Sequence, residues 1–419
     1  MRRTLLVTVL LAGLALPATA GAATRWVVRG AGFGHGAGMS QYGAYGLALH
    51  GTGYRDILGR YYTGTEIGSA SGRTIRVLLG DGRASVRFDH ARSVGGERLE
   101  SGVTYTAKSA AGRVKVTGGG HTVGTFDAPA TVRGDAIRFV GTTMNGIANG
   151  SFRDSLELRP SSYGGLTVVN AAGLDDYVRG VVSGEMPSSW PAEALKAQAV
   201  AARSYAITTD RGGPVFDQYP DTRSQVYRGV SGETAATNAA VDATTGEIVT
   251  YQGAAVVTYF FSTSGGKTEN IENVFYGAAA SPWLRGVADP YDDASPKHRW
   301  RFVFTTSQMQ SRLSGLVKGK FRGVKVVQRG FSPRIVWADV VGSRGRTRVR
   351  GATLRTRLGL YDTWASFKKV TGESAKRYRP SPPPRKTDTS TSLQSSGWLP
   401  SSPATSSESS REGFWRWLG

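Results

Sequence analysis

The sequence predicts an α+β fold: a mixed, mostly antiparallel β core with several helices, a β-rich module and a disordered C-terminal tail. Short β-branched and aromatic runs, separated by Gly, Asp and Ser, recur from 74 to 169 and indicate the module. After 173 the pattern becomes helical and later returns to strands. Beyond about 374 the chain is rich in Pro, Ser and Thr and lacks the apolar residues that a packed core needs.

These changes of pattern divide the 419 residues into five segments. They are an export signal at 1–23, a glycine- and histidine-containing segment of the core at 24–70, the β-rich module at 71–170, the rest of the core at 171–370, and the tail at 371–419.

The first segment has the features of a secretory signal peptide. Arg2 and Arg3 precede an apolar run at 5–16, and an Ala-x-Ala pattern follows at 18–20. The run is shorter than the roughly 20 residues that a membrane-spanning helix needs. A buried N-terminal helix is the alternative, but it does not explain why both arginines stand directly before the apolar run. We therefore expect an exported protein.

Composition limits the classes of partner and of metal site. There are 52 basic and 31 acidic residues, a net charge of +21, and no cysteine, which excludes disulfides and thiolate metal sites. The charge favours a polyanionic partner such as wall polymers, acidic lipid headgroups or nucleic acid, although an arginine-rich proteome would produce the same excess. No recognition helix, RNP-like strand or zinc-finger spacing is present, so we expect no nucleic acid partner.

Local signals predict the individual elements of the core. Gly51 and Gly246 suit helix ends, and Pro191 suits a helix start, where Glu193 would meet the positive end of the helix dipole. Gln252-Gly253 suits a hairpin turn. The predicted helices are 41–50, 54–62, 191–208 and 234–244, and the predicted strands are 26–28, 248–251, 255–261, 301–304, 324–327 and 335–341.

The segment around Glu185 is the densest candidate for chemistry. Glu185 follows apolar residues and precedes Pro187, which predicts a carboxylate in a partly apolar loop. Such surroundings disfavour the charged form and suit a general acid near neutral pH. Lys196 and Arg203 are seven residues apart on the next predicted helix and share one face, from which they could hold an anionic or hydroxyl-rich substrate. Alternatively, Glu185 only pairs with one of these cations in a structural role.

A glycine-rich loop at 32–43 is the second candidate. Its alternating glycines allow close approach of the backbone to a ligand and present His35 from a tight turn. The loop lacks the spacing of a nucleotide or dinucleotide motif, and a structural histidine is the alternative. Two further polar, glycine-bounded segments, 221–229 and 262–268, would be ordinary loops if each were taken alone.

Taken together, these segments resemble the SpoIID/LytB family, whose members include sporulation lytic transglycosylases and amidase enhancers. The resemblance covers most of residues 30 to 365. The matching motifs are Tyr177 to Gly180 with Val181 and Val182, Glu185-Met186-Pro187, Glu193 to Arg203, Gln225-Val226-Tyr227, Ser264 to Thr268, Gly34-His35-Gly36 and Gly38 to Ala44.

The resemblance implies that Glu185 is catalytic, that Lys196 and Arg203 support it, and that His35 contacts the substrate. The other substrate-binding candidates in the matching motifs are Gln41, Tyr177, Gln225, Tyr227, Ser264 and Lys267. The family cleaves the bond between N-acetylmuramic acid and N-acetylglucosamine, preferentially in glycan stripped of stem peptides, and forms a 1,6-anhydro ring. One carboxylate is enough for this reaction, whereas a hydrolase normally needs a second.

Two departures from the family pattern carry expectations of their own. Some relatives bind zinc through a cysteine where this chain has Ser224, so we expect no metal and no cofactor. Relatives usually carry the glycine-histidine-glycine motif near their C-terminal end, whereas here it comes first. This order indicates a circular permutation, which predicts that His35 shares a cleft with Glu185 and that Phe367 lies near Trp26.

The resemblance also implies a location and partners. We expect a secreted, extracytoplasmic, wall-associated protein that acts on peptidoglycan glycan strands, with a wall amidase or anionic wall polymers as further partners. The alternative is a non-catalytic amidase enhancer or wall-binding regulator with the same fold. A purely adhesive wall protein would explain the charge and the tail, but not the motif around Glu185.

Overall fold

The computed structural model describes residues 24–381 of the chain. The predicted export signal and the part of the predicted tail from 382 to 419 lie outside the described residues. Within the described range the fold is α+β with mostly antiparallel sheets, as predicted.

The glycine- and histidine-containing segment forms two strands, two helices and a further strand. Ser40 begins the first helix, and its Oγ accepts a hydrogen bond from the Gly43 N–H at 3.1 Å, a typical N-cap. The elements are β1 (Thr24–Ala31), β2 (Met39–Ser40), α1 (Gln41–Leu49), α2 (Tyr54–Tyr61) and β3 (Glu66–Ser69).

The β-rich module consists of two six-stranded antiparallel sheets, which confirms the predicted strand-rich region. Its strands are β4 (Thr74–Arg83), β5 (Val86–Asp89), β6 (Ser93–Val94), β7 (Glu97–Arg98), β8 (Tyr105–Ala110), β9 (Arg113–Gly118), β10 (His121–Phe126), β11 (Ala130–Arg133), β12 (Ile137–Val140), β13 (Ser151–Phe152), β14 (Ser155–Pro160) and β15 (Leu166–Gly173). The strand orders are β10-β9-β8-β5-β12-β13 and β4-β15-β14-β11-β6-β7.

Alternating burial explains why the two sheets pack together. Val114 and Val116 of β9 are buried while Arg113 and Lys115 between them are exposed, the period-2 pattern of a half-buried strand. β9 packs against β14 of the other sheet, and the apolar faces form one core with the helices that follow. The module is therefore continuous with the rest of the molecule.

The helical part of the core follows β15 without a linker. Its elements are α3 (Leu174–Glu185), α4 (Ala192–Thr208), a 3-10 turn (Gly229–Gly232), α5 (Ala235–Asp242), β16 (Glu247–Tyr251), β17 (Ala254–Ala255), β18 (Phe260–Phe261) and α6 (Ile271–Val274). α4 is the central helix: every residue from Ala197 to Ala206 is buried, and α1, α2, α3, α5 and β16 all pack on it. Its alanines allow this close packing on all sides.

The last described part forms a second hydrophobic core. Its elements are β19 (Arg299–Thr305), α7 (Thr306–Arg312), β20 (Phe321–Arg329), β21 (Ile335–Gly342), β22 (Gly345–Arg350), α8 (Gly351–Leu358), β23 (Ala365–Thr371) and α9 (Glu373–Lys376). Residues 373–381 fell in the predicted tail, yet α9 buries Ala375 and the Ser381 N–H donates to the Val303 carbonyl.

β1 is the central strand of a three-stranded sheet, between β19 and β23. Val28 lies opposite Phe367 and Trp26 lies opposite Lys369, so the predicted proximity of Phe367 and Trp26 is confirmed. β2 then pairs in parallel with β18, which brings the start of α1 to the helical core.

Three sequence-based predictions of elements were wrong. The strand predicted at 255–261 is interrupted, because Thr258 turns inward and its hydroxyl donates to the Ala201 carbonyl of α4. The loop predicted around Glu185 is the last turn of α3. α8 was not predicted at all, since its two arginines and two threonines give little apolar periodicity.

Candidate active site

Glu185 is the last residue of α3. Pro187 disfavours helical backbone in the residue before it, and Met186 is accordingly extended, with φ −128° and ψ 145°. The side chain is buried, with 6% relative exposure. The helix end therefore places one carboxyl group at the junction of α3, α1 and the segment that contains Val226.

Residues of two other chain segments, Val226 and Gln41, contact this carboxyl group. Its Oε1 accepts a hydrogen bond of 2.7 Å from the Val226 backbone N–H. The Gln41 side-chain Nε2 lies 3.4 Å from Oε2 and donates to the Glu185 carbonyl at 3.2 Å. The same nitrogen lies 3.4 Å from Oε1 of Gln198 on α4. The short bond fixes the orientation of the carboxyl group, and the long ones are weak.

Two electrostatic influences act on Glu185 in opposite directions. The C-terminal end of α3 carries the negative pole of the helix dipole, which opposes a further negative charge. The Val226 N–H stabilises the ionised carboxylate by direct donation. A carboxyl group between such influences can both give and take a proton, which is what general acid and base catalysis requires.

An aromatic cluster that the sequence analysis missed adjoins Glu185. Tyr42 follows Gln41, and Trp190 follows Glu185 by five residues; their ring centroids are 4.9 Å apart. Tyr45 completes the cluster at 4.8 Å from Trp190. All three side chains are partly exposed, and burial raises the pKa of the Tyr42 hydroxyl. The signal available in the sequence was an unexplained tryptophan beside the Glu185 motif.

Lys196 and Arg203 do not act as a pair. Lys196 forms an ion pair of 2.7 Å with Glu193 and lies over the ring of Tyr54. The Arg203 side chain has 0% exposure and binds Asp175 at 2.6 Å. Burial lowers the pKa of the Arg203 guanidinium, and the charge of Asp175 opposes this shift. Arg203 thus joins α4 to α3, and in this conformation it reaches no surface where substrate could bind.

Arg203 also donates to the Glu247 carbonyl of β16 at 2.9 Å, which extends the same connection to a third element. The helical periodicity correctly placed Lys196 and Arg203 on one face of α4. The structure gives each cation its own carboxylate on that face.

Tyr177, Gln225 and Tyr227 form a buried layer behind Glu185. The Tyr177 hydroxyl donates to Oε1 of Gln225 at 2.9 Å, and the Tyr227 hydroxyl donates to Oδ1 of Asn170. The two tyrosine rings stack with centroids 5.2 Å apart. Since these contacts fix the residues on either side of Val226, they position the N–H that binds Glu185.

His35 is buried, and both of its ring nitrogens have partners within the protein. Nε2 lies 3.0 Å from the Phe260 carbonyl and must donate to it, while Nδ1 accepts from the Ala37 N–H at 3.1 Å. Burial, followed by the charge of Arg355, lowers the pKa of His35 from 6.5 to about 3, so the ring is neutral. No ring nitrogen is left for a substrate hydroxyl. His35 lines a cavity of about 400 Å³ that Glu185 does not line.

Ser264 and Lys267 lie near the glycine-rich loop at 32–43 that contains His35, which we call the glycine-histidine loop. The buried Ser264 hydroxyl donates to Asp292 at 3.1 Å and accepts from the Gly266 N–H. Lys267 is exposed, with its Nζ 5.1 Å from the centroid of the Phe331 ring. Among the predicted substrate-binding residues, Gln41 contacts Glu185 directly through its side chain.

Between residues 24 and 381 the structure contains no group of three or more His, Asp or Glu side chains arranged to hold a metal ion. The Ser224 hydroxyl accepts a hydrogen bond from the Tyr219 N–H at 3.0 Å. None of the described helices combines the length and the apolar character needed to cross a membrane.

The part of the chain that contains this site is similar to known proteins. Residues 162–251, which contain Glu185, α4 and the segment around Val226, match the SpoIID model, described as a stage II sporulation protein. The chain is 34% identical over 204 residues to stage II sporulation protein D of Bacillus subtilis, covering 45% of this chain and 58% of that protein.

Two further relatives extend the comparison. An uncharacterised protein of Brachyspira hyodysenteriae is 40% identical over 177 residues, covering 42% of this chain and 46% of the relative. The amidase enhancer of Bacillus subtilis is 37% identical over 142 residues, covering 34% of this chain and 19% of the relative. The matches thus span between about a fifth and three-fifths of the length of these relatives.

Proposed function

We propose that the chain is a peptidoglycan lytic transglycosylase, because residues 162–251 match the SpoIID model and its relatives include a stage II sporulation protein D and an amidase enhancer. The observation that carries the proposal is the buried Glu185 carboxyl group, held by the Val226 N–H at the meeting point of three segments. The proposed substrate is the glycan strand, cut between N-acetylmuramic acid and N-acetylglucosamine. The proposed location is outside the cytoplasm, on the cell wall.

In this proposal Glu185 acts first as an acid and then as a base. With Oε1 bound to the Val226 N–H, Oε2 carries the proton to the glycosidic oxygen as the bond to C1 of the muramic residue breaks. The resulting carboxylate then takes the proton of the C6 hydroxyl, whose oxygen bonds to C1 and closes the 1,6-anhydro ring. The nucleophile belongs to the substrate itself, so no second carboxylate has to activate water.

The aromatic cluster of Tyr42, Tyr45 and Trp190 supports a carbohydrate ligand. Exposed aromatic faces beside a buried carboxyl group can contact the apolar faces of sugar rings, while their polar edges stay hydrated. The net charge of +21 supports retention on anionic wall polymers.

The test is mass spectrometry of the products released from denuded peptidoglycan. Glu185→Gln keeps the shape of the side chain but cannot exchange the proton, so release of anhydromuramyl products should fall about 100-fold to 10,000-fold. Glu193→Gln is the matched control, because Glu193 belongs to the same motif but pairs with Lys196. A Glu185→Gln protein that remains as active as wild type, with unchanged thermal melting, would remove the basis of the enzyme proposal.

The relative named amidase enhancer supports a second candidate, a non-catalytic regulator of a wall amidase. In this case the purified protein would release no glycan fragments, but it would accelerate an added wall amidase. Stimulation that persists in Glu185→Gln would favour the regulator over the enzyme.

A further inference from the structure

The cavity that His35 lines has an unusual balance of charge. It lies between the glycine-histidine loop, the end of α6, the start of β21 and the first turns of α8. Four arginines line it, Arg334, Arg350, Arg355 and Arg357, against a single carboxylate, Glu269. We call this cavity the arginine pocket.

Glu269 forms no ion pair with these arginines in the described part of the chain, and local donors bind its carboxylate. It accepts hydrogen bonds from the backbone N–H groups of Asn270, Phe331 and Ser332, from the Ser332 hydroxyl, and from the side chain of Asn273. With Arg334 paired to Asp362, three further arginines face this single carboxylate, so the pocket keeps an excess of positive charge.

Arg355 is the central group of the pocket. Within the described part of the chain, its half-buried guanidinium makes no ion pair and no side-chain hydrogen bond. The carboxylate whose charge acts on it, Asp362, is already bound by Arg334 at 2.8 Å and by the Trp364 N–H at 2.9 Å. Burial of an unpaired cation is unfavourable, and an anion in the pocket would relieve it.

Arg334 supplies a second unsatisfied donor. It is 98% buried, and its two terminal nitrogens bind Asp362 and the carbonyls of Ser264 and Lys267. Its Nε is buried without a partner. This Nε faces Gly36, where an added Cβ would lie only 2.4 Å away. Gly36 therefore allows its backbone to pack closely against this guanidinium, whose Nε–H keeps no hydrogen-bond acceptor.

The start of α8 adds a third feature. Its N-cap residue Arg350 has no side-chain acceptor for the first-turn N–H groups, and its first turn contains no acidic residue. Gly351, Ala352 and Thr353 of this turn line the pocket. The positive end of a helix dipole thus points toward the same space as the arginines, an arrangement that favours a bound anion.

We propose that the arginine pocket binds a carboxylate group of the wall glycan ligand. The choice of ligand class rests on the proposed function, whereas the anion site itself rests on the pocket alone. Apolar side chains, Val274, Phe275, Ile335 and Val336, form part of the wall, which suits a carboxylate on a small organic body. Such a carboxylate comes either from the lactyl group of muramic acid freed of its stem peptide, or from the stem peptide itself.

The glycine-histidine loop connects this pocket to Glu185. Six residues separate His35 in the pocket wall from Gln41 beside Glu185, so their Cα atoms lie at most about 22 Å apart. One oligosaccharide can therefore place a sugar bond at Glu185 and a carboxylate in the arginine pocket. The loop also explains how a motif without a free histidine nitrogen serves a binding site, since His35 forms part of the pocket wall and Gly36 allows close packing against Arg334.

The test measures binding to the full chain by calorimetry, without any cleavage step. The probes are N-acetylmuramic acid, a muramyl dipeptide, N-acetylglucosamine and inorganic phosphate. We expect N-acetylmuramic acid or the dipeptide to bind, and N-acetylglucosamine, which lacks the carboxylate, not to bind. The tighter of the two carboxylate probes identifies the source of the group. Binding of phosphate in preference to both, or equal binding of N-acetylglucosamine, overturns the proposal.

Two variants locate the binding to the pocket. Arg355→Gln should weaken the binding of the carboxylate probe about 10-fold or more, the loss expected for one charged hydrogen-bonding partner. Ala352→Asp adds a carboxylate on an exposed first-turn residue, which suits the helix dipole and so protects the fold, and it should prevent binding. Arg87→Gln, on an exposed position of β5, is the charge-matched control and should bind as wild type.

If both Arg355→Gln and Ala352→Asp bind the carboxylate probe with wild-type affinity, the proposal is wrong. Binding is measured without catalysis. A protein that binds the carboxylate probe but cleaves no glycan would therefore support the arginine pocket as an anion site and contradict the proposed enzyme function.

Discussion

Acidification should destabilise the protein through His35 by an amount that follows from its surroundings. The ring is buried, donates to the Phe260 carbonyl and is held neutral, with its pKa lowered from 6.5 to about 3. In the unfolded chain the ring takes up a proton near pH 6.5, while in the folded protein it does not. The stabilisation is therefore fully present above pH 6.5 and is lost as the pH falls toward 3.

The loss of unfolding free energy can be measured between pH 7 and pH 5. One pKa unit corresponds to about 1.4 kcal/mol, so a fall to pH 5, about 1.5 units below the unfolded pKa, removes about 2 kcal/mol of unfolding free energy. His35→Gln should remove this pH dependence, because an amide can also donate to Phe260 and accept from Ala37 but does not titrate.

The assay is urea unfolding of wild type, His35→Gln and a control, His121→Gln, at both pH values. His121 is exposed on β10, so its variant should follow wild type. If wild type and His35→Gln lose equal stability on acidification, or if NMR shows the His35 ring titrating near pH 6.5, the account of a desolvated neutral histidine is wrong.

Three further predictions concern Arg203, Gly180 and metal dependence. Arg203→Met leaves Asp175 without its buried partner and should lower the unfolding free energy by about 3–5 kcal/mol in urea titrations. Gly180→Ala would place a Cβ 2.5 Å from the Tyr227 ring, so we expect a loss of about 1–3 kcal/mol together with reduced glycan cleavage. Because Ser224 is a poor zinc ligand, cleavage should survive exhaustive chelation with EDTA.

Each of these has an outcome that contradicts it. Lys196→Met is the control for Arg203, since a half-exposed pair contributes about 1 kcal/mol or less; equal losses in both variants would contradict the structural role of Arg203. A Gly180→Ala protein with wild-type stability would show that the Tyr227 ring can move aside. Loss of activity in EDTA and its recovery with zinc would reverse the expectation about metal.

Features that depend on residue identity and local periodicity could be predicted from the sequence, whereas contacts between distant chain segments could not. The motif around Glu185 and the shared face of Lys196 and Arg203 were visible locally, as was the strand alternation of the β module. The Gln41 contact to Glu185 joins positions 144 apart, and no local pattern indicates it. The ion pair of Arg203 with Asp175 depends on how α4 packs against α3, whereas the pair of Lys196 with Glu193 is local to α4.

The wrong predictions of elements have the same origin. Glycines at 180 and 184 lower the helix propensity of the segment before Glu185. The face of α3 that carries these glycines packs against Tyr227 and Val226, and this burial outweighs the low propensity. The stretch before Phe260 reads as a continuous strand by composition, yet the inward turn of Thr258 to α4 interrupts it. Tertiary contacts decided both cases.

The position of β1 between β19 and β23 governs the order in which the molecule can be completed. The chain is synthesised from its N-terminus, so β1 emerges first, but its two neighbouring strands begin only at Arg299 and Ala365. Until they arrive, β1 has two unpaired edges, which are prone to wrong pairing. Contacts between such distant positions also slow folding. Nascent or truncated chains that stop before β23 should therefore depend on chaperones, because β1 then lacks one of its two neighbouring strands.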